Sequence, residues 1–418
     1  MRKTAIPVVS GLLTVVLASS GALAGETSDL QRQIDELKAK VENLQAKKDS
    51  SSAPAAEKKS SWTDKVTLFG DFRYRHEAIS EPHRETARPD RERERIRARL
   101  GLKARVNDEV DLTFRIATGN TTDPVSTNQT LGGNFTKKAV VLDQAFFDYH
   151  PDALREAGVP THLLGGKMPT PFIAPGGSDL LWDGDLTPEG GALKLAPRLG
   201  DAAELLVNLG GFVVNEVHDP ASTENNEDPG LFGAQAALKL KFDEKGTTYA
   251  MVGAGYFNYT HAEGKTTFGG AFGNTLDGTL YEYGYREQEG FVEVGFPVLD
   301  VPVTLYGDYV RNLDAGDEDT GYLVGVNVGR AREQWDWSVG YNYRALEKDA
   351  VLGAFTDSDS GGGGTDHKGH KFGAQLMVLK NVTVGATCFI DKVNISDDDA
   401  TDRNADYHRL QLDVMFKF

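Results

Sequence analysis

The last twelve residues, Tyr407-His-Arg-Leu-Gln-Leu-Asp-Val-Met-Phe-Lys-Phe418, alternate between apolar and polar side chains and stop on a phenylalanine. Leu410, Leu412, Val414, Phe416 and Phe418 share one phase, while Arg409, Gln411, Asp413 and Lys417 share the other; only Met415 breaks the pattern. A period of two over this length is a strand with one apolar and one polar face. One such strand cannot hide its apolar side, so its companions decide the fold.

Sixteen segments with this habit fill the chain: 66–77, 92–106, 110–119, 139–149, 161–168, 190–196, 202–215, 231–242, 247–260, 282–296, 301–312, 320–329, 334–346, 368–379, 382–393 and 406–418. The connections sort by length. Those after strands two, six, eight, ten, twelve and fourteen are tight, as at Lys380-Asn381, and the one after strand four (150–160) has room for a helical turn. Those after odd strands, including 119–138, 169–189, 216–230, 261–281 and 347–367, are mostly long and polar. Short turns on one side and long loops on the other mark an outer-membrane barrel. A water-soluble sandwich requires no such segregation. The expected fold is therefore all-β, a transmembrane antiparallel β-barrel of 16 strands, with one missed or invented hairpin making it 14 or 18. Forty-six glycines, well above the usual ~7%, suit a strongly curved wall, as at Gly253, Gly255, Gly325, Gly340, Gly373 and Gly385.

The other end of the chain gives the route to the membrane. Arg2 and Lys3 precede an apolar run from about Ala5 to Leu17, and Ala22-Leu23-Ala24 offers a small-x-small cleavage pattern. Residues 1–24 read as a signal peptide; the run is shorter than the ~20 apolar residues an anchor helix needs. Leu30, Ile34, Leu37, Val41 and Leu44 then recur at alternating spacings of four and three. Ile34 and Val41 fall on a positions and the leucines on d, so residues 25–48 read as a short periplasmic coiled coil. An amphipathic helix lying on another surface is the alternative. Residues 49–64, rich in Ser, Ala, Lys and Pro, read as a flexible linker, and 65–418 as the barrel. Cys388 is the only cysteine, which excludes an intrachain disulfide.

The second strand carries the sharpest chemistry. Ile96, Ala98, Leu100, Leu102, Ala104 and Val106 alternate with Arg97, Arg99, Gly101, Lys103 and Arg105. Neighbouring strands add Arg73, Arg75 and Arg115 in the polar phase, so Arg73, Arg75, Arg97, Arg99, Lys103 and Arg115 turn to the lumen. Like charges at membrane depth require water or counter-charges, and an aqueous pore supplies both. The outermost Arg91, Arg93 and Arg95 are expected on an exposed strand extension, beside Glu92 and Glu94. Nucleic-acid binding, the other use of an arginine run, conflicts with the signal peptide and a net charge of -17.

The third external connection, 169–189, is the counterpart. Its prolines and glycines fix turns, and Phe172, Ile173, Leu180, Leu181 and Trp182 are too apolar for a loop left in solvent. It is expected to fold inward, setting the acidic Asp179, Asp183, Asp185 and Glu189 against the arginines as a constriction. A loop capping the mouth or packing on a neighbouring subunit is the alternative.

The whole chain resembles Gram-negative outer-membrane porins of the sixteen-stranded class that carry a short periplasmic coiled coil. Gly165-Gly-Lys-Met-Pro-Thr-Pro-Phe172 is similar to the strand and loop entry of phosphate-selective and related porins, and Phe418 matches the usual barrel-assembly signal. The resemblance implies passive diffusion of small hydrophilic solutes and ions, an inward third loop, a trimer in the outer membrane and no enzymatic activity. The barrel is also expected to contact lipopolysaccharide, and the helix to reach peptidoglycan. Acidic loops such as 216–230 and 313–319 depart from the lysine-rich loops of phosphate-selective porins.

Two other functions draw on parts of the same sequence. A structural barrel would tether membrane to cell wall. A hydrolase would need Ser178, beside Asp179, to meet His162, His261, His367 or His370 through the fold. No cofactor is expected. Asp357-Ser-Asp359 and Asp397-Asp-Asp399 offer the hard oxygens calcium takes, without the spacing of a calcium loop.

Overall fold

The computed structural model describes residues 32, 35–43, 62–81, 90–217, 227–396 and 402–418. It divides into two units, 1–61 and 62–418. In the first, residues 35–43 are helical, and Leu37 and Val41 are exposed. The signal-peptide reading and residues 49–61 of the linker lie outside the described residues, as do Leu30, Ile34 and Leu44.

The second unit begins with a 3-10 turn, Trp62–Lys65, which feeds the first of sixteen long strands. These are β1 (Val66–Ser80), β2 (Arg91–Asn107), β3 (Val110–Thr118), β4 (Val140–Tyr149), β5 (Thr161–Lys167), β6 (Glu189–Leu195), β7 (Ala203–Val213) and β8 (Gly230–Lys241). There follow β9 (Tyr249–Thr260), β10 (Tyr285–Val298), β11 (Val301–Asn312), β12 (Thr320–Gly329), β13 (Trp337–Leu346), β14 (His367–Leu379), β15 (Val382–Val393) and β16 (Ala405–Lys417). Each pairs antiparallel with the next, and β1 pairs with β16, in register Phe72↔Phe416 and Arg75↔Asp413. The sheet is closed. Reciprocal backbone bonds of 3.1 Å between Gly70 and Phe418 carry the seam to the last residue. Two-residue pieces at Gln129–Thr130, Leu276–Asp277 and Leu280–Tyr281 decorate the loops.

The alternation of the sequence becomes two walls. Phe72, Leu100, Phe114, Leu142, Val252, Leu305, Phe372 and Leu412 stay exposed on the outside, whereas Arg75, Arg97, Asn208, Gln235, Arg344 and Gln411 are buried within. An apolar surface running round the whole barrel is not tolerated in water. With every strand paired there is no edge, the condition for sheet in a bilayer. No helix among the described residues is long and apolar enough to cross a membrane; the strands cross instead.

Leu412 gives a direct test of that orientation, since it sits mid-strand and 45% exposed. Leu412→Arg should cost about 2–4 kcal/mol, the range for a basic side chain on the lipid face near the midplane. The readout is the urea midpoint for unfolding from vesicles. An unchanged midpoint would mean that this face does not meet lipid.

Connections segregate as the sequence suggests. The tight β10–β11 turn is Leu299-Asp300, both at positive φ (49° and 66°), the backbone of a two-residue hairpin that follows strand twist. At β14–β15 the same role falls to Asn381 at φ 63°. The 150–160 connection contains a short helix, Asp152–Glu156. The two weakest sequence patterns, beside glycine pairs, are the two shortest strands, β5 and β6, each of seven residues.

Candidate functional site

The connection between β5 and β6, residues 168–188, lies inside the barrel. Its apolar residues are what carry it there. Phe172 stacks on Trp182 at 5.8 Å and meets the Phe257 ring edge-on at 4.8 Å, while Trp182 meets Phe257 at 5.1 Å. Leu180, Leu181 and Trp182 are buried in one cluster with Phe212, Tyr259 and Tyr306 from the wall. Backbone groups are paid off locally by wall side chains. Ile173 N donates to Gln235 Oε1 (2.7 Å) and Gln235 Nε2 donates back to Ile173 O (3.0 Å). Gly176 N donates to Glu293 Oε2 at 2.6 Å, and Asn327 Nδ2 donates to Gly176 O at 2.9 Å. Gly176 has no substitute: its φ is 63°, and a Cβ there would sit 2.2 Å from the Tyr306 ring.

A second segment folds inward beside it, in place of the polar external loop expected there. Residues 347–366, between β13 and β14, bury Ala350, Val351, Leu352 and Ala354. Thr356 Oγ1 donates to Leu180 O (2.7 Å), Asp183 N donates to Phe355 O (2.9 Å), and Ser358 N donates to Asp183 Oδ2 (3.0 Å). The run Ala350-Val-Leu-Gly-Ala-Phe355 was the available signal. It is as apolar as the stretch that gave away the first loop.

The basic wall stands opposite, matched almost charge for charge. Asp71 accepts from Arg97 Nε (3.0 Å) and Arg99 Nε (2.7 Å). Arg75 makes two parallel bonds to Asp413, of 2.7 and 2.8 Å, the strong bidentate geometry. Arg409, also lumenal, pairs with Glu77 and with Asp359. Arg93 pairs with Glu77 as well, and Arg95 lies 3.7 Å from it. These two therefore turn inward to β1 rather than to Glu92 and Glu94, because the fully buried Glu77 needs cations. Arg115 pairs with Asp143. Lys103, half exposed towards the short-turn end of β2, pairs with Asp111 at 3.0 Å and stands apart from the others.

The four loop acids separate. Asp185 alone reaches the arginines, 3.3 Å from Arg99 and 3.8 Å from Arg97, and also accepts from Thr127 Oγ1 at 2.9 Å. Burial pushes its carboxyl up, but Arg97, Arg99 and Thr127 outweigh that and hold it below the ordinary aspartate range. Asp179 lies 3.4 Å from Lys371 on β14. Asp183 accepts from loop backbone, and burial, with Asp179 and Asp357 close by, pushes it well above the ordinary range. Glu189 is the first residue of β6 and pairs with Lys167 at 2.9 Å, away from the arginines. Loop and arginine wall are thus in contact at Asp185, with no gap for a solute between them there.

Open space lies beside that contact. A cavity of about 290 Å³ is lined by Arg73, Arg75, Arg97, Asp359, Lys371, Gln411 and Asp413 among others. It adjoins one of about 600 Å³, which shares Lys371, Gln375 and Thr387 with it and reaches Gly176, Tyr306 and Glu293. On the long-loop side, about 940 Å³ opens between 120–127, Asp185, Glu189 and Phe355.

Residues suited to other chemistry are engaged elsewhere. Ser178 Oγ donates to Asp308 at 2.9 Å. Asp357 pairs with Arg344 at 2.8 Å and Asp359 with Arg75 and Arg409, so cations of the chain already occupy those carboxylates. Asp397-Asp-Asp399 lies outside the described residues. Among the described residues no group of three or more His, Cys, Asp or Glu is arranged to hold a metal ion.

Comparison with known proteins extends this picture. A family model described as "Putative porin" matches residues 76–281 and 282–418. Among solved structures, the chain is similar to OprB of Pseudomonas putida at high pH, with 13% identity, 85% of this chain and 95% of that one covered, and a TM-score of 0.52, a likeness of fold. Also similar are OmpF of Salmonella typhi in complex with daunomycin (14% identity, 86% and 99% covered, TM-score 0.49) and the outer-membrane channel DcaP of Acinetobacter baumannii (14%, 84% and 97%, 0.46). No curated protein matches the chain.

Proposed function

The chain belongs to this porin family, and from that premise we propose that it is an outer-membrane pore through which small hydrophilic solutes and ions diffuse passively. The observation that carries the reading is the polar, cavity-bearing interior of a closed barrel whose outer face is apolar. The inward loop 168–188 and the segment 347–366 narrow the passage, and Arg73, Arg75, Arg97 and Arg99 line it beside Asp185 and Asp179. Because most lumenal cations have a carboxylate in contact, the expected ion preference is modest and no phosphate selectivity is assigned. Purified protein in planar bilayers should give discrete, ohmic conductance steps. A membrane that stays silent after insertion, shown by protease protection of the barrel, would overturn the reading.

A homo-oligomer, taken as a trimer, completes the proposal. Strands β5 and β6 have seven residues each, short of the ~9–11 that a tilted strand needs to span a bilayer. A neighbouring wall would cover this low side better than lipid. The exposed Leu37 and Val41 of the helix are the stripe of a parallel coiled coil, weak alone and raised in effective concentration by association of the barrels. Leu37→Glu should loosen the helices and leave the barrel folded. Mass in detergent reads it out: a wild-type protein that runs as a monomer with residues 25–48 intact would end the trimer proposal.

A further inference from the structure

Among the described cations that line the cavity of about 290 Å³, ion pairing leaves one over. In the cavity of about 290 Å³, Arg75 faces Asp413 and Asp359, Arg97 faces Asp71 and Asp185, and Lys371 faces Asp179 and Asp357. Arg73 differs. Its Nη2 donates to the neutral Asn128 Oδ1 at 2.6 Å, its Nε is buried without a hydrogen-bond partner, and among the described residues no carboxylate lies within ion-pair distance of it. A buried guanidinium without a counter-charge is costly unless something else supplies one. The Arg73 guanidinium lines this cavity, where a planar oxyanion would supply the missing counter-charge through a charged hydrogen bond.

We propose that Arg73 is the centre of a transit site for small organic monocarboxylates, one anion at a time. The proposal rests on the pore reading and names the solute class of that passage. The carboxylate group replaces the missing counter-ion. Gln375, Thr383 and Thr387, which line the same cavity, offer amide and hydroxyl groups to the uncharged end of the solute. One unmatched guanidinium balances one negative charge. A dianion would bring a second charge into a wall whose other cations are already paired, so dicarboxylates and phosphate are held less well. The cavity of about 600 Å³, which adjoins this one at Lys371, Gln375 and Thr387, would receive the anion next.

Currents carried by sodium lactate, sodium succinate and sodium phosphate through the full-length protein in planar bilayers test this. In the wild type the lactate current should saturate, at a lower concentration than the succinate or phosphate current. Arg73→Gln should raise the lactate half-saturation on the order of tenfold, the effect of losing a charged hydrogen-bond pair. Asn128→Asp, nearly isosteric, sets a carboxylate against Arg73 and should do the same without removing the arginine. That second variant keeps the test open if Arg73→Gln fails to fold. Unchanged lactate saturation in Asn128→Asp, or succinate held as tightly as lactate, would overturn the site while leaving the pore. A wild type that carries no current with any of the salts would take down the pore and the site together.

Discussion

Replacing Trp182 with alanine should raise the single-channel conductance and turn a quiet current into a flickering one. The indole is 6% exposed and contacts Phe172, Phe257 and Tyr259, the rings that seat the loop on the β7–β9 wall. Truncating a buried tryptophan costs about 3–5 kcal/mol, and here the loss falls on the loop. The barrel is held by sixteen paired strands that Trp182 does not join. The polar latches at Ile173, Gly176 and Ser178 remain, each of about 0.5–1.5 kcal/mol, or somewhat more where a carboxylate accepts. They are enough to keep the loop near the wall but not to hold it still. Current recordings indistinguishable from wild type would show that the loop does not govern the passage. A lost heat-modifiable band would instead place Trp182 in the stability of the whole barrel.

Neutralising Arg97 and Arg99 together should have the second large effect. These two guanidiniums face Asp71 and Asp185, a balanced group of two cations and two anions. Glutamine at both positions leaves two buried carboxylates unmatched, and breaking a buried pair from one side costs about 3–5 kcal/mol. Asp185 then keeps only its bonds from Thr127, so the edge of the loop loosens and the passage widens slightly. The passage also gains net negative charge. Close to the solute such a field acts with little screening, whereas charges beyond about 8 Å are damped at physiological salt. In a tenfold salt gradient the reversal potential should move towards the cation limit, ~59 mV for a monovalent ion, by on the order of 10 mV. If it stays where it was at low salt, Arg97 and Arg99 do not border the ion path.

Some of this was legible in the chain and some was not, and the division has a physical basis. A strand writes its own alternation, so Leu410 to Phe418 on the outside and Arg409 to Asp413 on the inside can be read from neighbours two residues apart. Turn lengths are local too, which is why all sixteen strands, the short–long order of their connections and the seam between β1 and β16 follow from the sequence. An apolar loop such as Phe172 to Trp182 also announces that it must be covered. What covers it is another matter. The similar run at Ala350 to Phe355 is not legible as an inward segment, because neither loop can show that the other is its partner. Charge pairing is longer-range still: Arg75 meets Asp413 across 338 positions, Arg409 meets Glu77 across 332, and Lys371 meets Asp179 across 192. The sequence by itself determined a barrel with an arginine-rich inner wall and an inward loop. Which carboxylate neutralises which arginine, and that Arg73 is the one left over among the described residues lining the cavity of about 290 Å³, only the tertiary structure decided, because ion pairing depends on distances that closure of the sheet creates.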